Sequence, residues 1–260
     1  MTRSTVLVTG ASSGIGLELA TLAAADGHDL VLVARSSDKL ETVASALKHR
    51  YGVGCLAVTL DLSAPGACMR LVEQLAARKI SVGILVNCAG FGMRGNFHSL
   101  SAAHQLDMIH VNMTSPTMLT RLLLPDMVAR GTGAILNVSS VAAFTAGPHM
   151  SVYYASKAYV LALSEGLHEE LRGSGVTVSC LCPGTTATGF ATRAGVGSLH
   201  SFRWTAMSAH DVACAGWQGM KQRRAVIIAG KRNRFAAFFL RYVPRALARK
   251  LTYALQRSRS

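Results

Sequence analysis

The chain has 260 residues, half of them hydrophobic and 15% charged, with a mean hydropathy of +0.31; this excludes a disordered or low-complexity scaffold, and the length permits one α/β domain with a well-buried core. The formal charge of +14 is unevenly spread: residues 221 to 260 hold 12 of the 27 Lys and Arg and no acid, which leaves a net of only +2 on residues 1 to 220. The six cysteines, Cys55, Cys68, Cys88, Cys180, Cys182 and Cys214, show no metal-ligand spacing and no Cys-x-x-Cys, so they read as reduced core thiols and no metal site is expected.

Along the chain, strand-like runs at 5–9, 29–34, 55–60 and 83–86 alternate with helical patterns at 15–26, 38–50 and 65–78. Their Val and Leu content is continuous rather than alternating, as in parallel strands buried on both faces. Further strands are expected at 134–138, 176–181 and 225–229, and helices at 101–130, with Pro116 and Pro125 as candidate breaks, and at 152–172. The expected fold is a single-domain, Rossmann-type doubly wound sheet of about seven parallel strands with helices on both faces. Residues 1–230 form this catalytic domain, with a substrate lid at about 188–210, and 231–260 form a basic amphipathic extension. The first strand begins too early for a secretory leader, and the longest uncharged stretch, 131–156, is interrupted by Gly131, Gly133, Asn137, Gly147 and Pro148; a cytoplasmic chain without a membrane span is expected.

Thr9-Gly-Ala-Ser-Ser-Gly-Ile-Gly16 joins the first strand to the first helix. A helix N-terminus offers unpaired N–H groups and a partial positive charge, so Gly10, Ser12, Ser13, Gly14, Ile15 and Gly16 are candidate pyrophosphate contacts. The spacing G-x-x-x-G-x-G departs from G-x-G-x-x-G, and such a turn also serves as a plain tight connection; its place directly after a buried N-terminal strand favours a nucleotide. At the end of the second strand, where an acid usually receives the ribose 2′-hydroxyl, the chain has Arg35 and Ser36, which favours the 2′-phosphate of NADP. The alternatives are a merely solvated Arg35, or an Asp38 that turns back toward the ribose. Asp61 is placed to meet the adenine amino group, and Asn87, Ala89 and Gly90 end the fourth strand at the same edge.

Tyr153 and Lys157, four apart on a helix, share one face, whereas Tyr154 lies about 100° around it. A phenol of pKa ~10 works as an acid–base group near neutrality only when cations favour its phenolate, which Lys157 and an oxidised nicotinamide supply. With the glycine turn, Asn87-Cys-Ala-Gly90, Asn112, Ser140 and Pro183-Gly184 in the same order, residues 5 to 190 resemble the short-chain dehydrogenase/reductase family. Cys88 departs from the family's usual Asn-Asn-Ala-Gly. The resemblance implies an NAD(P)-dependent oxidoreductase in which Ser140, thirteen positions before Tyr153, holds the substrate oxygen and Tyr153 exchanges its proton. It also implies that Lys157 lowers the tyrosine pKa and holds the nicotinamide ribose, that Asn112 supports a water leading to Lys157, and that Pro183, Gly184, Thr185, Thr186 and Thr188 contact the nicotinamide carboxamide. A dimer or tetramer paired through the helices at 101–130 and 152–172 is implied as well.

Phe91, Met93, Ala142, His149 and Phe190 are candidate pocket residues, with Phe202 and Trp204 in the lid, and suit a hydrophobic ketone or secondary alcohol; Phe144 reads as core. The competing functions are an acyl-thioester (3-oxoacyl) reductase and a catalytically silent NADP-binding sensor or scaffold. In the tail, Phe235, Phe238, Phe239, Tyr242, Leu247, Leu251 and Leu255 lie beside Arg234, Arg241, Arg245, Arg249 and Lys250. That pattern fits a helix on an anionic membrane surface, or equally one packed on the lid or a subunit partner; no nucleic-acid reading motif accompanies it.

Overall fold

The computed structural model describes residues 3–190, 194–195, 206–240 and 242–256. Strands β1 (Thr5–Thr9), β2 (Asp29–Ala34), β3 (Cys55–Thr59), β4 (Val82–Asn87), β5 (Gly133–Val138), β6 (Val176–Cys182) and β9 (Val226–Ile228) form one parallel sheet in the order β3-β2-β1-β4-β5-β6-β9. A short parallel pair, β7 (Thr186–Ala187) with β8 (Met207–Ser208), brings the two ends of the expected lid together.

Side chains alternate across the sheet, and both faces are buried. Val6 and Val8 of β1 pack with Leu19 of α1 (Gly14–Ala25), Leu40 of α2 (Ser37–Tyr51) and Trp217 of α7 (Ala209–Lys221). Leu7, on the opposite face, packs with Leu71 of α3 (Ala67–Ala77) and Leu119 and Met127 of α5 (Ser115–Ala129). This two-sided burial is why the strands read as continuous apolar runs. The chain leaves β1 for β2 and β3 on one side and then crosses to β4 on the other, so β1 and β4 flank a switch point whose carboxyl edge opens a crevice.

The segment expected as one helix over 101–130 is divided. α4 (Ala102–Ile109) passes through a π-helical turn at His110–Thr114 into α5. Neither candidate proline makes the break, since Pro116 lies in the first turn of α5 and Pro125 inside it. Helix α6 (Ser151–Glu170) follows the expected course. Helix α7 has no counterpart in the sequence reading, although Ser208 caps it by accepting the Asp211 N–H at 3.0 Å and donating to the Asp211 carboxylate, a Ser-x-x-Asp signature that was legible. The tail folds as two helices, α8 (Lys231–Leu240) and α9 (Arg245–Gln256), separated at Pro244, which has no N–H to continue a helix. No helix among the described residues is long and apolar enough to cross a membrane.

Candidate active site

A cavity of about 1190 Å³ opens along the carboxyl ends of the strands. Its nucleotide end is shaped by glycine. Gly10 has φ +70°, and a β-carbon there would lie 2.9 Å from Ala89 Cα; one on Gly16 would lie 2.3 Å from the Gly10 carbonyl oxygen. Only glycine lets the backbone turn this tightly. Thr9 Oγ1 accepts the N–H groups of Cys88 and Ala89, both at 3.0 Å, and so fixes the glycine turn against the end of β4.

Both helices that begin at this end lack a side-chain cap. Ser13 at the start of α1 and Ser36 at the start of α2 make no capping hydrogen bond, and α1 has no acid in its first turn. Their free N–H groups, with Ser12, Ser13, Arg35 and Ser36 in the wall, make an environment for phosphate. Arg35 forms no ion pair among the described residues. Asp61 accepts the Ser63 N–H at 2.9 Å and the Ser63 hydroxyl at 2.8 Å; the N–H bond leads in holding its carboxyl below the usual range, with the hydroxyl and the positive Arg35 adding to it against partial burial. Glycine cradle, open helix ends and Arg35 together fit a dinucleotide.

At the other end of the cavity, Ser140 starts a 3₁₀ turn over Val141–Phe144, accepts the Ala142 N–H at 3.1 Å and donates to the Pro183 carbonyl at 3.4 Å. The Ser140 hydroxyl also lies close enough to the phenol of Tyr153 to favour its ionised form, and that phenol is buried against Phe190 at a ring separation of 5.3 Å. Lys157 Nζ donates to the Val138 carbonyl at 3.0 Å and lies 5.8 Å from the centre of the Tyr153 ring. Burial pushes Tyr153 up to about 12, against the opposing effect of the nearby Ser140 hydroxyl, and burial also lowers the pKa of Lys157. Burial dominates the pKa of Tyr153 in the protein alone, so the resting phenol is neutral at pH 7.

Other expected residues fall into three groups. Ser12, Ser13, Ile15, Ala89, Gly90, Phe91, Met93, Ala142, Pro183, Gly184, Thr185, Thr186, Thr188 and Phe190 all border the cavity. Three do not. Asn87 turns its amide into the sheet, donating to Asn137 Oδ1 at 2.8 Å, since its alternating position on β4 points it away from the edge. His149 stacks on Tyr253 at 5.4 Å, outside the cavity wall. Asn112, in the π turn, holds both backbone polar groups of Phe91 (3.1 and 2.9 Å) and donates to Ser156 Oγ at 3.0 Å. A β-carbon on Gly90 would lie 3.1 Å from Asn112 Oδ1 and 3.4 Å from Lys157 Nζ, so the two side chains flank the same glycine. Finally, Phe202, Trp204 and most of the expected lid lie outside the described residues.

The sequence reading missed the far wall, which the tail supplies. Asn233 abuts Gly184, whose β-carbon would sit 2.4 Å from Asn233 Nδ2, and Phe239, Leu240, Leu251 and Gln256 line the cavity. Tyr154, set aside in favour of Tyr153, lines it too, with its hydroxyl bonded to Gln256.

A doubly wound sheet with a dinucleotide cradle beside a Ser–Tyr–Lys constellation defines the Rossmann-type oxidoreductases as a class. The family model described as "short chain dehydrogenase" matches residues 4–196, and this chain belongs to that family. It is 35% identical over 184 residues to the ketoacyl reductase HetN of Nostoc sp., covering 71% of this chain and 64% of that protein. It is 36% identical over 187 residues to the very-long-chain 3-oxoacyl-CoA reductase of Homo sapiens, covering 70% and 59%. The alignments thus span less than two thirds of the length of these relatives. Among solved structures, a short-chain dehydrogenase from Sphingobium yanoikuyae in complex with NADPH is 37% identical with a TM-score of 0.82, covering 91% of this chain and 92% of that one. A short-chain dehydrogenase/reductase from Burkholderia phymatum in complex with NAD is 26% identical with a TM-score of 0.81, covering 99% and 96%.

Proposed function

We propose that the chain is an NADP-dependent oxidoreductase that interconverts a hydrophobic ketone and its secondary alcohol, with Tyr153 as the acid/base. The observation that carries this reading is the Ser140–Tyr153 pair, which sits where the glycine cradle meets an apolar wall of Phe91, Met93, Ala142 and Phe190. The dinucleotide, when bound, supplies or accepts the hydride at its nicotinamide ring. Ser140 holds the carbonyl oxygen by a hydrogen bond, and the neutral phenol of Tyr153 gives it a proton as the alcohol forms. A protonated Lys157, buried beside them, favours the phenolate left behind, and Asn112 holds the backbone of Phe91 just beyond β4. Arg35 selects the 2′-phosphate, a choice supported by the NADPH of the Sphingobium relative, although the Burkholderia relative holds NAD.

A second reading, reduction of 3-oxoacyl thioesters, is favoured by the names of the Nostoc and human relatives and by the basic tail beside the cavity. A silent binding module is opposed by the intact Ser140, Tyr153 and Lys157. The chain works as a dimer or tetramer in the cytoplasm or on a membrane surface. The test is NADPH consumption with a panel of bulky ketones and 3-oxoacyl thioesters. Turnover that Tyr153→Phe abolishes is expected; tight NADPH binding without turnover of any member would overturn the reading in favour of the silent module.

A further inference from the structure

The tail turns an unusual surface to solvent. Of eleven large hydrophobic side chains exposed among the described residues, seven lie between Phe235 and Tyr253. On α8 and just beyond it, Phe235, Phe238, Phe239 and Tyr242 follow the i, i+3, i+4, i+7 spacing of a single face, and their rings pack against one another, Phe235 tilted on Phe239 at 4.3 Å and Phe238 edge-on to Tyr242 at 5.3 Å. Leu247 and Leu251 extend the same kind of face along α9 and are half-exposed. A ring cluster that packs on itself and still leaves Tyr242 72% exposed is a surface awaiting an apolar partner.

The charge around it narrows the partner. Lys231, Arg232, Arg234, Arg245, Arg249 and Lys250 are all exposed, and none joins an ion pair among the described residues. No acid follows residue 220. A second copy seated here would set one basic cluster against another, whereas an anionic bilayer offers apolar depth for the rings and headgroups for the cations. Phe239 and Leu251 belong both to this face and to the cavity wall, so the surface continues into the site that holds Tyr153.

We propose that the α8–α9 face seats the enzyme on an anionic membrane surface, and that its substrate is a membrane-partitioned ketone that enters past Phe239 and Leu251. The substrate half rests on the ketone-reductase reading above; the docking half does not.

The test is sedimentation of the full chain, loaded with NADPH, with vesicles of phosphatidylglycerol and phosphatidylcholine or of phosphatidylcholine alone. Co-sedimentation at low salt is expected to be at least about tenfold greater with the anionic vesicles and to weaken as salt rises. The triple variant Phe235→Ser, Phe238→Ser, Tyr242→Ser and the charge variant Arg245→Gln, Arg249→Gln, Lys250→Gln should each lose most of the binding and keep their turnover of a water-soluble ketone. Equal binding to both vesicles, or none at low salt, would overturn the docking. A self-association that the Ser variant abolishes, without vesicle binding, would assign the face to a second copy instead. Vesicle binding without turnover of any ketone would overturn the ketone-reductase reading alone, and a vesicle-dissolved ketone turned over no faster than in detergent would overturn the entry route.

Discussion

Gln256 Nε2 donates a 2.6 Å hydrogen bond to the hydroxyl of Tyr154, which ties the last described residue of the tail to the tyrosine beside Tyr153. The backbone carbonyl of the same residue accepts a 2.5 Å bond from Arg94 Nη2. One residue thus straps α9 across the cavity from two sides, and it explains why a tail that reads as an appendage forms a wall. Burial raises the pKa of Tyr154 and the Gln256 bond opposes that, so both tyrosines rest as neutral phenols.

The two tyrosines therefore separate by experiment. Tyr154→Phe leaves the Gln256 amide buried without its acceptor, at a cost of about 1–3 kcal/mol in stability, and is expected to raise KM with little change in kcat. Tyr153→Phe removes the proton donor and should lower kcat by about 10²–10⁴ with NADPH affinity retained. Thermal denaturation beside steady-state kinetics of the two variants decides it; the reverse ranking would move the acid/base role to Tyr154.

The pH dependence follows from the burial of Tyr153. Its folded pKa of about 12 stands above the unfolded value of ~10, so the stabilisation linked to this proton is fully present below ~10 and is lost as the pH rises through about 12. Alcohol oxidation needs the phenolate and ketone reduction the phenol. Since the nearby Ser140 hydroxyl favours the phenolate, Ser140→Ala should move the rising limb of the oxidation profile to higher pH, on top of a lower rate in both directions. Profiles of kcat/KM in the two directions, wild type against Ser140→Ala, check this shift.

Cofactor choice is assigned to Arg35, which lines the cavity at the end of β2 where an acid would favour NAD. Arg35→Asp should weaken NADPH binding by about 1.5–3 kcal/mol, the range for a hydrogen bond to a charged group, and leave NADH nearly unaffected or improved. Titration of cofactor fluorescence measures both. Equal affinities for the two cofactors in the unaltered protein would remove the assignment.

Assembly is the remaining expectation. Thr117 Oγ1 and the Tyr159 hydroxyl, 2.8 Å apart, join α5 and α6 side by side, the surface through which the chain is expected to pair. Light scattering at micromolar concentration should give a multiple of the 27.5 kDa chain mass. A purely monomeric mass would refute it.

The strands were legible because their signal is local. Runs at 5–9 and 29–34 coincide with β1 and β2 to the residue, since strands buried on both faces carry their Val and Leu in unbroken succession. The glycine turn and the Tyr153–Lys157 pair were legible for the same reason: a tight turn and an i, i+4 face are properties of a few consecutive residues. The Ser208 cap of α7 is an equally local signal. Tertiary structure alone decided that Asn112 braces the backbone of Phe91, that Asn87 bonds across the sheet to Asn137, and that residues 231–256 close the cavity. Arg94 and Gln256 are 162 residues apart in the chain, and Tyr154 and Gln256 are 102 apart. No local period records such a pairing; it exists only once the sheet order has brought the carboxyl end of β4, the start of α6 and the end of α9 to one edge.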